Sequence, residues 1–206
     1  MIERTANFFS VAFHPLLVPT IIYAIIFGFA PPLARPLSDN ALLYILAAIF
    51  ITTFVIPICC IAVLRFSAYI PSFSMRNRKD RIVPFLFVSV FYAITTYMFY
   101  AKMQLNQVLV VIMLAITVVT FFLALVTVFW KISIHSAAIT GMVGFLVAIM
   151  IKFPLADLLW PLVLSVVVAG LVMSARLYLN EHEPNEVFMG GLVGFVFCFG
   201  AVFLMG

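Results

Sequence analysis

Apolar runs long enough to cross a bilayer, roughly 20 residues each, follow one another along this chain with only short polar breaks. Seven can be drawn, at about 8–30, 41–64, 83–101, 108–130, 136–151, 158–177 and 187–206. Pro31, Pro32 and Pro36 end the first run, and Pro71 with a basic stretch separates the second from the third. Residues 102–106, 131–133, 152–157 and 181–185 supply the remaining breaks. The fifth run is short for a crossing, so its helix is expected to start early enough to include His135 near its N-terminus. No internal repeat or low-complexity linker interrupts the pattern. Residues 1–206 therefore read as one domain, an all-α polytopic transmembrane helical bundle of six to seven spans.

Composition agrees with the pattern. The chain is 67% hydrophobic and 9% charged, with a mean hydropathy of +1.30, which excludes an ordinary soluble globule. The first run is too long for the apolar region of a signal peptide and lacks a clean small-residue cleavage site, so no removable leader is expected. Cys59, Cys60 and Cys198 sit inside apolar runs with neither a disulfide pattern nor metal-ligand spacing, and read as small core residues.

Charge changes the picture because it is clustered. The net charge is +4, and Arg65, Arg76, Arg78, Lys79 and Arg81 fall close together with Asp80 the only acid among them. A chain whose charge is confined to short loops between spans is a poor partner for nucleic acid. The bilayer itself, anionic headgroups and phosphate esters suit it better.

Counting crossings from this basic loop gives a test that needs no motif. The third run leaves the loop's face and the fourth returns, which brings Lys131, Ser133 and His135 to that face. The fifth leaves and the sixth returns, which adds Arg176 to Glu186. Three polar clusters distant in sequence thus converge, while the opposite face holds only Arg35, Asp39, Lys102, Lys152 and Asp157. By the same count the N-terminus lies on the clustered face and the C-terminus opposite. Lys and Arg number eight on the clustered face against three, which favours a cytoplasmic site. Setting aside Lys79, Arg81, Lys131 and Arg176, cations that a bound phosphate ester would explain, leaves four against three. The expected location is a multi-pass position in a membrane, of the bacterial inner-membrane kind.

The converging residues have a chemistry in common. Arg176-Leu-Tyr-Leu-Asn-Glu-His182-Glu-Pro-Asn-Glu186 concentrates ionisable groups at the edge of a hydrocarbon layer, where they are costly to keep. A histidine with a carboxylate four residues on, a second histidine and several cations fit phosphoryl transfer through a phosphohistidine. Glu186 can hold one ring nitrogen of His182 and leave the other nucleophilic. Cationic side chains would neutralise the phosphate oxygens, and His135 would protonate the leaving oxygen and then activate water.

This arrangement resembles the type 2 phosphatidic acid phosphatase superfamily, whose third motif is Ser-Arg-x5-His-x3-Asp followed by Val and spaced glycines. Arg176-x5-His182-x3-Glu186-Val187, with Gly190 and Gly194 beyond, reproduces that spacing. Ser133-Ile-His135-Ser136-Ala137 is similar to the second motif, Pro-Ser-Gly-His, often continued by Ser-Ala. The first, Lys-x6-Arg-Pro, is matched only loosely by residues 76–84. The resemblance implies the superfamily's bundle fold and a metal-independent phosphoric ester or diphosphate hydrolase with no cofactor. His182 would be the nucleophile, Glu186 its orienting carboxylate and His135 the acid. Arg176, Arg81, Lys79 and Lys131 would hold phosphate, with Ser133 donating a hydrogen bond. Glu for Asp at 186, Ala for Ser at 175, and Ile132 and Ile134 in place of proline and glycine mark a divergent member.

The substrates implied are lipid phosphates: phosphatidic acid, phosphatidylglycerol phosphate, polyprenyl diphosphate or lipid A phosphate. The alternative from another class is a non-catalytic lipid-binding or transport protein that keeps the fold. Against a carrier, the ionisable groups gather at one face and not at mid-bilayer. A zinc site of His135, His182 and Glu186 is a further alternative, because three ligands with an open position form a catalytic zinc pattern. His14 has no partner at motif spacing and reads as structural. The glycines after Glu186 could equally serve close helix packing, and Glu181 and Glu183 read as solvated.

Overall fold

The computed structural model describes residues 2–205 apart from 73, 74, 76 and 104; Arg76, the first residue of the loose first motif, lies outside the described residues. Helix follows helix: α1 (Ile2–Ala12), α2 (Val18–Phe29), α3 (Pro31–Ala34), α4 (Asp39–Phe50), α5 (Ile56–Phe66), α6 (Lys79–Ala101), α7 (Gln107–Phe129), α8 (Ile134–Lys152), α9 (Leu159–Tyr178) and α10 (Pro184–Phe203). A π turn, Ile51–Val55, fuses α4 and α5 into one rod. Among the described residues, that rod and α6 to α10 are the six helices long and apolar enough to cross a membrane.

The first apolar run departs from expectation. Instead of one span over 8–30 it forms two helices, because Pro15 lacks an N–H and disfavours helical backbone at His14. The chain turns there, with the Leu17 amide bonding the His14 carbonyl at 2.8 Å and the Leu16 amide bonding His14 Nδ1 at 3.3 Å. The other predicted runs recover their helices. The fifth begins at Ile134 and therefore includes His135 at its second position.

Proline also explains the π turn. Pro57 cannot donate to the carbonyl of Thr53, four residues earlier, and the ladder widens at that point. The freed carbonyl accepts from the Tyr92 hydroxyl on α6 at 3.4 Å.

Alternating directions of α6 to α10 confirm the crossing count. The Asp157 amide before α9 bonds the Phe29 carbonyl at the end of α2 at 2.9 Å, which fixes the far end of the bundle. Lys152 reaches the carbonyl of Met205 at that same end.

The pair that matters most to the site is α8 with α10. A Cβ placed at Gly194 would stand 2.0 Å from the Ala137 carbonyl oxygen, one at Gly190 2.4 Å from that of Ser133, and one at Gly144 2.6 Å from that of Phe195. Glycine at all three lets the backbones touch. This contact brings the N-terminus of α8, with His135, against the N-terminus of α10, with Glu186.

Candidate active site

The carboxyl end of α9 and the start of α10 build the turn that carries His182. α9 ends with Asn180 in the left-handed region, φ 51°, a conformation asparagine tolerates better than most residues. The Glu181 amide reaches back to the Arg176 carbonyl at 3.2 Å, closing the helix in a Schellman-type turn. Pro184 then occupies the first position of α10, where its missing N–H costs nothing.

Glu186 lies four positions after His182, and the geometry uses that spacing. Glu186 Oε2 lies 2.6 Å from His182 Nδ1 and also accepts from the Glu183 amide at 3.3 Å. A carboxylate only accepts, so Nδ1 carries the proton and Nε2 presents a lone pair. Arg81 Nη1 approaches that Nε2 at 3.3 Å, while Arg81 Nε donates to the Met75 carbonyl at 2.7 Å. The His182 side chain is 1% exposed and that of Glu186 10%. Burial, then the charges of Arg81, Arg176 and Lys131, hold the His182 imidazole down to a pKa of about 3. It is therefore neutral near pH 7, the state a nucleophile needs.

Arg176, from the last turn of α9, donates from Nη1 to Ser10 Oγ of α1 at 2.8 Å and sets Nη2 3.6 Å from Glu181 Oε2. Its Nε is buried and without a hydrogen-bond partner. A buried donor with no partner is a costly feature that an anionic ligand would relieve. The ring of His135 stands edge-on to His14 with centroids 5.5 Å apart. Burial, then Arg176, hold His14 down to a pKa of about 4.

His182, His135, Arg81 and Arg176 line one cavity of about 310 Å³, together with Glu181, Ser10 and His14. The other anticipated residues are placed around it. Ser133 is fully buried as the N-cap of α8, its hydroxyl 2.9 Å from that of Ser136 and its amide on the Glu186 carbonyl at 3.2 Å. Lys131 donates to the Glu181 carbonyl at 2.6 Å, tying the α7–α8 turn to the α9–α10 turn. Lys79 is exposed and outside the cavity lining, since it precedes Arg81 by two residues and so points from the other side of α6. Among the described residues, no group of three His, Cys, Asp or Glu side chains is arranged to hold a metal ion.

Three contributors escape motif reasoning. Ser10 and His14 arrive from the N-terminal helix and turn, and Glu181, expected to be solvated, pairs with Arg176. The crossing count alone could have flagged His14, since it puts that end of the first run on the site's face.

The comparisons with known proteins bear on the same region. Residues 128–205 match the model of the PAP2 superfamily. The match takes in Lys131, Ser133, His135, Arg176, His182 and Glu186 and begins after Arg81. No curated protein and no solved structure matches the chain.

Proposed function

Because residues 128–205 match the model of the PAP2 superfamily, whose members are generally phosphatases acting on phosphate esters, we propose that the chain is a membrane-embedded lipid phosphatase working through a phosphohistidine. One observation carries this reading: His182 is clamped through Nδ1 to Glu186 at 2.6 Å while its Nε2 is turned to the Arg81 guanidinium at 3.3 Å. That pairing leaves a neutral nucleophile beside a fixed cation.

The phosphoryl group of a lipid phosphomonoester or diphosphate takes the place between Nε2, Arg81 and Arg176. Nε2 attacks phosphorus, the N–P bond forms and the P–O bond to the leaving group breaks. Arg81 and the free Nε of Arg176 offset the charge on the non-bridging oxygens. Bound phosphate charge favours the imidazolium form of His135, which gives its proton to the leaving oxygen. Water then attacks phosphorus, returns a proton to His135 and frees phosphate as the N–P bond breaks. Glu186 stabilises the His182 ring while it carries the phosphoryl group. A hydrophobic substrate follows from a site whose far wall is hydrocarbon. Phosphatidic acid, phosphatidylglycerol phosphate, polyprenyl diphosphate and lipid A phosphate all satisfy this chemistry.

Phosphate release from a panel of these lipids by the purified chain is the test. His182→Ala is expected to abolish release and the acid-labile phosphoprotein seen on rapid quenching. Release that survives His182→Ala unchanged removes His182 as nucleophile, and anionic lipid binding with no turnover in the native chain favours a lipid-binding protein.

A further inference from the structure

The cavity does not stop at the polar cluster. From Arg81 its lining continues down α6 through Phe85, Val88 and Tyr92, one side chain per turn. From His135 it continues down α8 through Ala138, Met142 and Phe145. Eleven residues of helix on one wall and ten on the other give a depth of about 15 Å. That is about half of the ~30 Å hydrocarbon core of a bilayer, so the cavity runs from the headgroup level to mid-bilayer inside the bundle. Its lower walls are apolar, with Ile22 of α2 and Ile116 of α7 completing the circuit.

At the deep end stand two large rings. Phe145 is 2% exposed and Tyr92 3%. Tyr92 is held by its hydroxyl on the Thr53 carbonyl that Pro57 leaves free. That bond fixes the ring at the deep end of the cavity.

We propose that this shaft holds a hydrocarbon tail of the substrate inside the bundle, and that Tyr92 and Phe145 form the floor that sets its length. The proposal rests on the phosphatase reading for the identity of the head group. Continuity carries it: one cavity joins the reactive nitrogen of His182, the unpartnered Arg176 Nε and an apolar column of leaflet depth. A phosphate at the top and a linear alkyl or isoprenoid chain below match those two linings.

The test is a series of linear alkyl phosphates of increasing length, turned over by the full chain in mixed micelles, beside matched alkylphosphonates that are bound and not cleaved. Phosphonate binding is read as thermal stabilisation. Native protein is expected to show kcat/KM and stabilisation that climb with length and then level off. Tyr92→Ala and Phe145→Ala deepen the shaft and should move that limit to longer chains. Val88→Phe plugs it two turns below Arg81 and should move the limit to shorter ones, with short-chain kcat preserved in all three.

Partition of longer lipids into micelles affects every variant alike, so the shift between variants is the readout. Tyr92→Phe keeps the ring without its anchor and should keep the native limit. Turnover whose length limit none of the deepening or plugging variants moves overturns the shaft and leaves the phosphatase standing. A length limit that moves in phosphonate binding while the native chain releases no phosphate supports the shaft and overturns the phosphatase reading.

Discussion

Glu186 is where the residue scale is most informative. It lies 2.6 Å from His182 Nδ1 and accepts from the Glu183 amide at 3.3 Å, and in the proposed function it fixes the ring's tautomer. Glutamine there can donate its amide N–H to Nδ1, which would move the ring proton to Nε2 and occupy the attacking lone pair. Glu186→Gln is expected to lower kcat about 10²–10⁴-fold with KM little changed, while Glu186→Asp keeps activity within about tenfold of native. Equal phosphate release from Glu186→Gln and native protein would sink this role. His182 and Glu186 were legible from sequence because a carboxylate four positions after a histidine can reach its ring, here across the turn that Pro184 ends. His14 was not, since its approach to His135 depends on where the first turn docks, which no local spacing encodes.

The same histidines give a pH prediction. His182 and His14 have folded pKa values of about 3 and about 4, below the ordinary 6.5. The unfolded chain therefore binds more protons than the folded one between those values and 6.5. Their contribution to stability is complete above pH 6.5 and is lost as pH falls toward 4 and 3. Native protein in detergent is expected to lose more thermal stability between pH 7 and 5 than His14→Gln or His182→Gln does. An identical drop in all three proteins would contradict the burial of neutral imidazoles.

Among elements, the α8–α10 contact governs the site, because it joins Ser133 and His135 to Glu186. Its glycines are not equivalent to the others in the chain. Alanine at Gly194 or Gly190 would drive a methyl into a backbone carbonyl at 2.0 or 2.4 Å, and neither helix can yield without separating His135 from Glu186. Each substitution is expected to destabilise by at least about 1–3 kcal/mol and to cost activity in proportion to the displacement. Gly200, on the same helix, meets nothing within 4 Å. Gly200→Ala should be neutral or raise stability by about 0.5–1 kcal/mol through helix propensity. Thermal unfolding of the three variants checks the contrast, and similar losses at all three positions would refute it. The spans themselves were legible from hydropathy. The split of the first run at Pro15 and the π turn before Pro57 were not drawn, although both prolines are in view. Helix ladders are lost at single carbonyls, and a hydropathy average does not register one.

For the whole molecule, alternation of crossings is the argument that sequence carried furthest. It places His135, His182 and Arg81 on one face without any contact being known, and the cavity they line agrees. The bond from the Asp157 amide to the Phe29 carbonyl then shows that α2 also traverses the bundle, from His14 on the site's face to the α8–α9 turn opposite. α2, at 12 residues, is shorter than the six helices able to cross, and α9 is one of those six. Leu155 before α9 and Asn185 after it are both exposed, and a single crossing by α9 opens them to different compartments. With Cys59 and Cys60 replaced to remove background, a cysteine at 185 and one at 155 are expected to react with an impermeant thiol reagent from opposite sides of sealed vesicles. Labelling of both from one side would break the crossing count and, with it, the convergence of the three polar clusters. Labelling from opposite sides identifies the compartment to which the His182 site opens, a choice that Lys and Arg counts leave open once Lys79, Arg81, Lys131 and Arg176 are set apart.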